Sequence, residues 1–428
     1  MVRRIARYCA GARLRRDESG AVVVVVALML TMLMGLLGVG IEVGSWYMTR
    51  RSLQTAADAA AIAGALEEAR GAAARVTAAA RQEAARNGAV AAKDVITIRT
   101  PPASGAFAGD PQAVEAIITR PEARMFSAVL GSGNVDISAR AVARVRTVGQ
   151  ACVLALDPSA SGAITGQGSS TLSMQGCTLA ANSTSGSAIT MSGSSSVTAQ
   201  GLWTAGGTSL GGSSNLKFAV PPATYTWPLP DPYAGLTIPP LGSCQPTKNV
   251  TVFTPGTYCS DISLQSGSFV FKPGTYYLDG ASLKINASAI VTCDCTAPGS
   301  GVTFVLTARN NANQIGAVTI NGGATITLRA PSDASSPYPG ILFYQDRRAP
   351  ANAVNTINGG SNIVMNGAFY FPSAPVKWTG NNTSSGANTC VEIIARTVDF
   401  SGNSALDNSG CTALGVKPLL TTAATLGE

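Results

Sequence analysis

The chain is expected to be mainly β: a single N-terminal transmembrane helix with an Ala-rich stalk, a small α/β connector, and then a parallel β-helix-like repeat domain. Three observations lead there. An uncharged apolar run extends from Ala21 to Ile41, the composition shifts abruptly to Ser, Thr, Gly and Asn from Ala151, and internal repeats follow that shift. The 428 residues suffice for two or three domains. Only 12% are charged, and there is no His. That removes the commonest general base, the Ser-His-Asp triad and imidazole metal sites. No catalytic residue, metal ligand or cofactor is expected, and the chain is read as a non-enzyme.

The elements follow in order. Residues 1–20 form a basic tail with six Arg (Arg3, Arg4, Arg7, Arg13, Arg15 and Arg16). Residues 21–41, about 32 Å long as a helix, match a bilayer core. The run is longer than a signal-peptide core and no small-x-small site follows it, so a retained anchor is expected. Arg50 and Arg51 alone flank its far side, which places the N-terminus in the cytoplasm and the large domain in the periplasm or outside the cell. Trp46 and Tyr47 fall at the outer interface. Of 30 Lys+Arg and 23 Asp+Glu, residues 1–149 hold 19 and 12, which leaves 11 and 11 beyond. The excess positive charge thus belongs to the membrane end, and no nucleic-acid partner is expected.

Residues 42–92 are dominated by Ala, the best helix former, and are expected to continue the membrane helix as a stalk that Gly64 and Gly71 could bend. Ala56, Ala60 and Gly64 recur every four residues, as do Ala57, Ala61 and Ala65, and Gly40 and Gly44 repeat the spacing at the membrane edge. Such stripes suit either a partner helix or the chain's own domain. Residues 93–150 form the connector, with strands at Val95–Ile98 and Val114–Ile118, a helix over Glu122–Leu130 and alternation from Val135 to Val145.

These N-terminal residues carry a resemblance. Ser19-Gly20-Ala21-Val22, the apolar run, Glu42-Val43-Gly44 and Arg51-Ser52-Leu53-Gln54-Thr55-Ala56-Ala57-Asp58-Ala59-Ala60-Ala61-Ile62-Ala63-Gly64-Ala65 resemble the TadE/TadG-like N-terminal region of tight-adherence (Tad, also called Flp) pilus-assembly proteins. The resemblance covers roughly residues 17–66. It implies a single-pass protein of the bacterial inner membrane that acts in assembling, anchoring or decorating such a pilus. Its partners would be the lipid bilayer and, through the N-terminal helix, pilus-assembly or pilin subunits. Glu42, Leu53, Gln54, Ala57, Asp58, Ala60, Ala61 and Gly64 are the motif and helix-packing candidates. Gln54 and Asp58, one turn apart, can hydrogen-bond. Five residues after Gly20, where prepilins carry Glu, stands Val25.

In the repeat region, residues 163–181 align with 188–206 at an offset of 25, with nine identities in 19 positions. Val252-Phe253-x-Pro255-Gly256-Thr257-Tyr258 recurs 18 residues later, and Thr319-Ile320-Asn321-Gly322-Gly323 recurs 37 later. A short unit of strands and tight turns cannot bury its apolar face alone, so successive coils must stack. Ile164 is then expected beneath Ile189 and Leu172 beneath Val197. A first block (151–218) and a second (248–415) are separated by residues 219–247, whose eight Pro rule out a central strand, and 416–428 form a tail. A β-sandwich is the runner-up fold.

Eight Cys lie beyond the membrane, in an oxidising compartment. Sequence neighbours suggest Cys152 with Cys177, Cys244 with Cys259, and Cys390 with Cys411, which leaves Cys293 and Cys295 to pair locally or across. Asp157-Pro158-Ser159-Ala160-Ser161 fits either a cation-binding D-x-S-x-S loop or an Asp-Pro turn. Tyr225, Trp227, Tyr233, Tyr338, Phe343, Tyr344, Phe369, Tyr370, Phe371 and Trp378 suit either sugar stacking or core packing. Surface glycans are therefore the alternative partner, and a membrane-anchored adhesin or carbohydrate-binding protein is the alternative function. A polysaccharide-active enzyme ranks below both, because the acids beyond residue 150 are scattered singly.

Overall fold

The computed structural model describes residues 19–427 except 361, 381 and 385–388, and the chain is mainly β. It divides into two compact units, residues 1–146 with 423–428, and residues 147–422. The basic tail and Cys9 lie outside the described residues.

In the first unit, helix α1 runs unbroken over Ser19–Ala69. The continuous stalk expected as far as residue 92 is not found. The helix ends where Gly71 takes φ +70°, a conformation that glycine adopts without steric cost. After a single 3-10 turn, α2 (Val76–Arg86) folds back on α1. Strands β1 (Val95–Arg99) and β2 (Ala113–Ala123) pair antiparallel, and β2 pairs antiparallel with the first half of β3 (Asn134–Ala155). The helix expected over Glu122–Leu130 is also absent. Glu122 and Ala123 stay in the ladder opposite Val135 and Asn134, and only Ser127–Val129 turn as a 3-10 helix. Asp94 accepts from two Arg120 guanidinium nitrogens at 2.6 and 2.7 Å and from the Val90 amide at 2.6 Å, which ties the start of β1 to β2. Arg120, first among the causes, holds the Asp94 carboxyl below its usual range. The final residues are not a loose tail. Leu420–Leu426 form a strand, and Gly427 donates to the Val142 carbonyl.

The second unit is built from parallel ladders in which each strand lies against its counterpart one turn of chain later. Ile164 pairs with Ile189, and Leu172 with Val197, at the expected offset of 25. Val252 pairs with Val270, and Thr319 with Thr356, at the offsets of 18 and 37. The offset of 25 falls to 23 on the other ladder, where Leu179 pairs with Leu202. One inward column therefore runs Ile262, Leu283, Val318 and then, past Asn355, Val376, Val398, Ile164 and Ile189. A second runs Tyr276, Phe304, Phe343, Phe369, Ile393, Val153, Leu179 and Leu202.

The order of stacking differs from the order of the sequence. The last coil of the second block, Val391–Ala395 and Val398–Asp407, stacks on the first coil of the first block through Val153–Ala155 and Ile164–Gln175. Both blocks consequently share one hydrophobic core. Residues 219–247 must then return from one end of this stack to the other. They do so against the outer face of one ladder, whose strands Val302–Thr307, Ile341–Gln345 and Val391–Ala395 are buried on both sides. Trp203 Nε1 donates to the Trp227 carbonyl at 3.0 Å, Asn182 exchanges two hydrogen bonds with Leu229, and Tyr370 donates to Asp231 at 3.0 Å. Tyr344 and Tyr338 donate to the carbonyls of Leu236 and Thr237. The Pro-rich segment lacks many amide donors, so it forms no continuous strand and meets the sheet backbone at isolated bridges near its ends, Ala223 with Trp203 and Cys244 with Thr257. It accepts these side-chain donors instead.

Disulfides link Cys152 to Cys177 between adjacent coils, with Cα atoms 5.6 Å apart, and Cys244 to Cys259 at the end of the Pro-rich strap formed by residues 219–247, 5.5 Å apart. Cys390 joins Cys411, and Cys293 joins Cys295. Beneath the strap, Glu392 is fully buried, and neither of its carboxylate oxygens has a partner. Burial pushes its carboxyl well above the usual carboxylate range.

Two outcomes follow. Leu172→Asp should unfold the stack, because a lone buried carboxylate costs several kcal/mol against a total of about 5–15. Ser173→Asp, half-exposed on the opposite face, should be nearly silent in limited proteolysis. For Glu392 the folded carboxyl stays neutral where the unfolded one ionises. The wild type therefore keeps its full stability only below the ordinary carboxylate range and loses it as pH rises towards the elevated folded value. Glu392→Gln does not titrate, so its unfolding free energy relative to wild type should climb as pH rises above the ordinary carboxylate range, by at most about 1.4 kcal/mol per pH unit. A pH-independent difference would contradict the buried carboxyl.

Candidate functional site

The C-terminal half of α1 holds most of the motif residues, and one face of it is buried. Leu53, Ala56, Ala57, Ala60, Ala61 and Ala65 form a core with Val76, Ala80 and Ala84 of α2, and with Val114, Ala116 and Ile118 of β2 and Ala139 and Ala141 of β3. Small side chains are required because the sheet lies close. A Cβ on Gly64 would come within 2.7 Å of the Val114 side chain. This face is therefore occupied by the chain's own domain and is not open to a partner helix. Gln54 Nε2 donates to Asp58 at 2.8 Å, the pairing its spacing predicts, and also to the Arg140 carbonyl of β3 at 2.9 Å. Gln54 thereby ties the helix to the sheet. Gly40 and Gly44, by contrast, face open space: a Cβ on either would meet nothing within 4 Å.

Glu42, the first residue after the apolar run, is buried. Its carboxylate accepts the amides of Met125 at 2.7 Å and Ser127 at 2.6 Å, and the Ser127 hydroxyl at 3.0 Å. The carboxylate thus satisfies the open amides of the 3-10 turn Ser127–Val129. One turn earlier, the Phe126 ring fills the space beside Gly38. Sequence reasoning placed Glu42 in the motif but missed Phe126, Ser127 and Gly38. A lone carboxylate at the edge of an apolar span signals that donors exist, because an ionised group there needs them. Nothing in its spacing identifies which donors.

Residues 20–94 match the family model described as putative Flp pilus-assembly TadE/G-like. No curated protein and no solved structure matches the chain. The TadE/G-like match spans α1, α2 and the approach to β1, and so contains every motif residue. The strands that cover its small-residue face, β2 and β3, and the amides that take Glu42 all lie beyond residue 94.

Among the described residues, no group of three or more Cys, Asp or Glu is placed to hold a metal ion. Asp157 accepts the amides of Ser159 and Ala160 and pairs with Arg396 at 2.9 Å, which makes it the turn residue of the Asp-Pro reading. A cleft of about 350 Å³ beside it is lined by Arg347 and Arg396, and both are already paired with carboxylates. A larger cavity of about 510 Å³, lined by Leu202, Leu216, Phe218 and Pro221 among others, contains no titratable side chain. Of the aromatic residues considered for sugar stacking, Tyr233, Tyr338, Phe343, Tyr344, Phe369, Tyr370, Phe371 and Trp378 are buried. Trp227 packs edge-on against Trp203, and Tyr225 is exposed.

Removing the acceptor at residue 42 should release the turn it holds. Glu42→Leu should speed amide hydrogen exchange in residues 124–130 of the detergent-solubilised chain by an order of magnitude or more, while Glu42→Gln, which keeps one acceptor oxygen, should have a smaller effect. Equal protection in all three proteins would show that the carboxylate does not hold the turn.

Proposed function

We propose that the chain is a non-enzymatic, single-pass inner-membrane protein that assembles, anchors or decorates a tight-adherence pilus, with its N-terminus in the cytoplasm and its β domain in the periplasm or outside the cell. The TadE/G-like match at residues 20–94 carries this reading. It is supported by a helix long and apolar enough to cross a membrane and by the four disulfides, which suit an oxidising compartment. The unit of parallel ladders is read as a parallel β-helix whose exposed coils form a rigid spacer or platform. Because the 53–65 face of α1 is internally covered, contact with pilin or assembly subunits falls to the exposed surface of residues 21–48.

An alkaline phosphatase fused after Glu428 should be active in the periplasm, and the full-length protein should co-purify with pilus-machine components after mild cross-linking. Replacing the exposed Gly40 and Gly44 with Leu should reduce that recovery severalfold without altering the fold. Phosphatase activity confined to the cytoplasm, or recovery equal to that of an unrelated membrane protein, would overturn the reading.

A further inference from the structure

Four large apolar side chains stand within six residues of the turn that Glu42 holds. Val129 is 90% exposed, Leu130 81%, Met125 63% and Phe126 49%. Globular surfaces seldom present such a cluster without something to cover it. Its position indicates the cover. Phe126 packs on Gly38, three residues inside the end of the Ala21–Ile41 run and so about 4–5 Å below it along the helix. Ser127 and Met125 are fastened to Glu42, just above that end. The cluster is thus held at the level where the helix leaves its apolar span, and Leu37 and Ile41, the helix residues next to Gly38 and Glu42, are exposed as well. Arg124 is the one charge in residues 124–130, and its guanidinium is directed to the Ser127 hydroxyl.

We propose that the turn 125–130 is a second membrane contact, with Met125, Phe126, Val129 and Leu130 seated in the phospholipid interface of the outer leaflet beside α1. Apolar side chains at a helix-flanking interface gain most at the boundary between headgroups and acyl chains, some 5–10 Å deep. With the helix as one point of attachment and the turn as another, the first unit is fixed against rotation on the bilayer. The proposal rests on the reading that residues 21–41 span a membrane.

The test uses the full-length chain in phosphatidylcholine/phosphatidylglycerol vesicles, in a Cys9→Ser background where the other cysteines are disulfide-bonded. Single labels with the environment-sensitive dye NBD are placed at Leu130→Cys, at Val129→Cys, at mid-span Leu30→Cys and at Ala108→Cys, an exposed position in the distal β1–β2 loop. The labels at 130 and 129 should be quenched severalfold more by lipids carrying a nitroxide at acyl carbon 5 than by aqueous iodide. The label at 30 should respond most to a nitroxide at carbon 12, and the label at 108 only to iodide. If 130 and 129 behave like 108 while 30 remains lipid-quenched, the proposal fails and the membrane span stands. If neither quencher reaches 130 and 129, protein covers the turn and the proposal also fails. If 30 escapes lipid quenching, the span itself is wrong and the proposal falls with it.

Discussion

A coil of some twenty to forty residues has too little interior to hide its own apolar side chains, and the whole β unit follows from that shortage. Above and below, each inward residue is covered by its counterpart in the next coil, so Ile164 needs Ile189 on one side and Val398 on the other. A fully buried Leu, Ile or Phe contributes about 1.5–3 kcal/mol, which makes each missing neighbour a measurable loss. The column also tolerates one polar member. Asn355 sits within it because its side chain accepts the Val318 amide and donates to Gln345. The strap extends the same logic to the outer face of one ladder, where a row of tyrosines would otherwise stand in water.

The first unit meets a related shortage by making its residues small. The helix segment in the TadE/G-like match carries small Ala and Gly residues along one buried side, and these permit close approach of a sheet that the match does not include. The matched segment is therefore one half of an interface whose other half is β2 and β3. Gln54 and Glu42 supply its polar fastenings, one to the backbone of β3 and one to the turn after β2.

Much of this was legible in the sequence wherever one residue type had to recur at one level. The offsets of 25, 18 and 37 appear as ladder registers because stacked positions see the same surroundings. The apolar run and the Ala face were legible for the same reason, since a uniform environment selects a uniform composition. What could not be read depends on contacts between distant residues. Thr165 meets Asp399 across 234 positions, and no local pattern announces that the last coil joins the first. The eight Pro of residues 219–247 excluded a central strand but did not say that the segment covers a ladder. The apolar spacing of 122–130 suits a helix, yet the amides of Met125 and Ser127 turn to Glu42, more than eighty residues earlier. Glu392 counted as one scattered acid among eleven until its strand was seen to be buried on both faces.

The exchanged stacking order also governs how the domain comes into being. Synthesis proceeds from the N-terminus, so the coil at Ile164–Gln175 is made early and gains the later coils 189–199 and 208–218 on one side at once. Its other side stays uncovered until residues 391–407 emerge, more than two hundred residues later. During that interval a row of unpaired backbone groups and apolar side chains is open to any passing strand. The domain thus closes in its middle rather than at its end, and a segment synthesised late, residues 391–407, is the one that joins the two blocks into one stack.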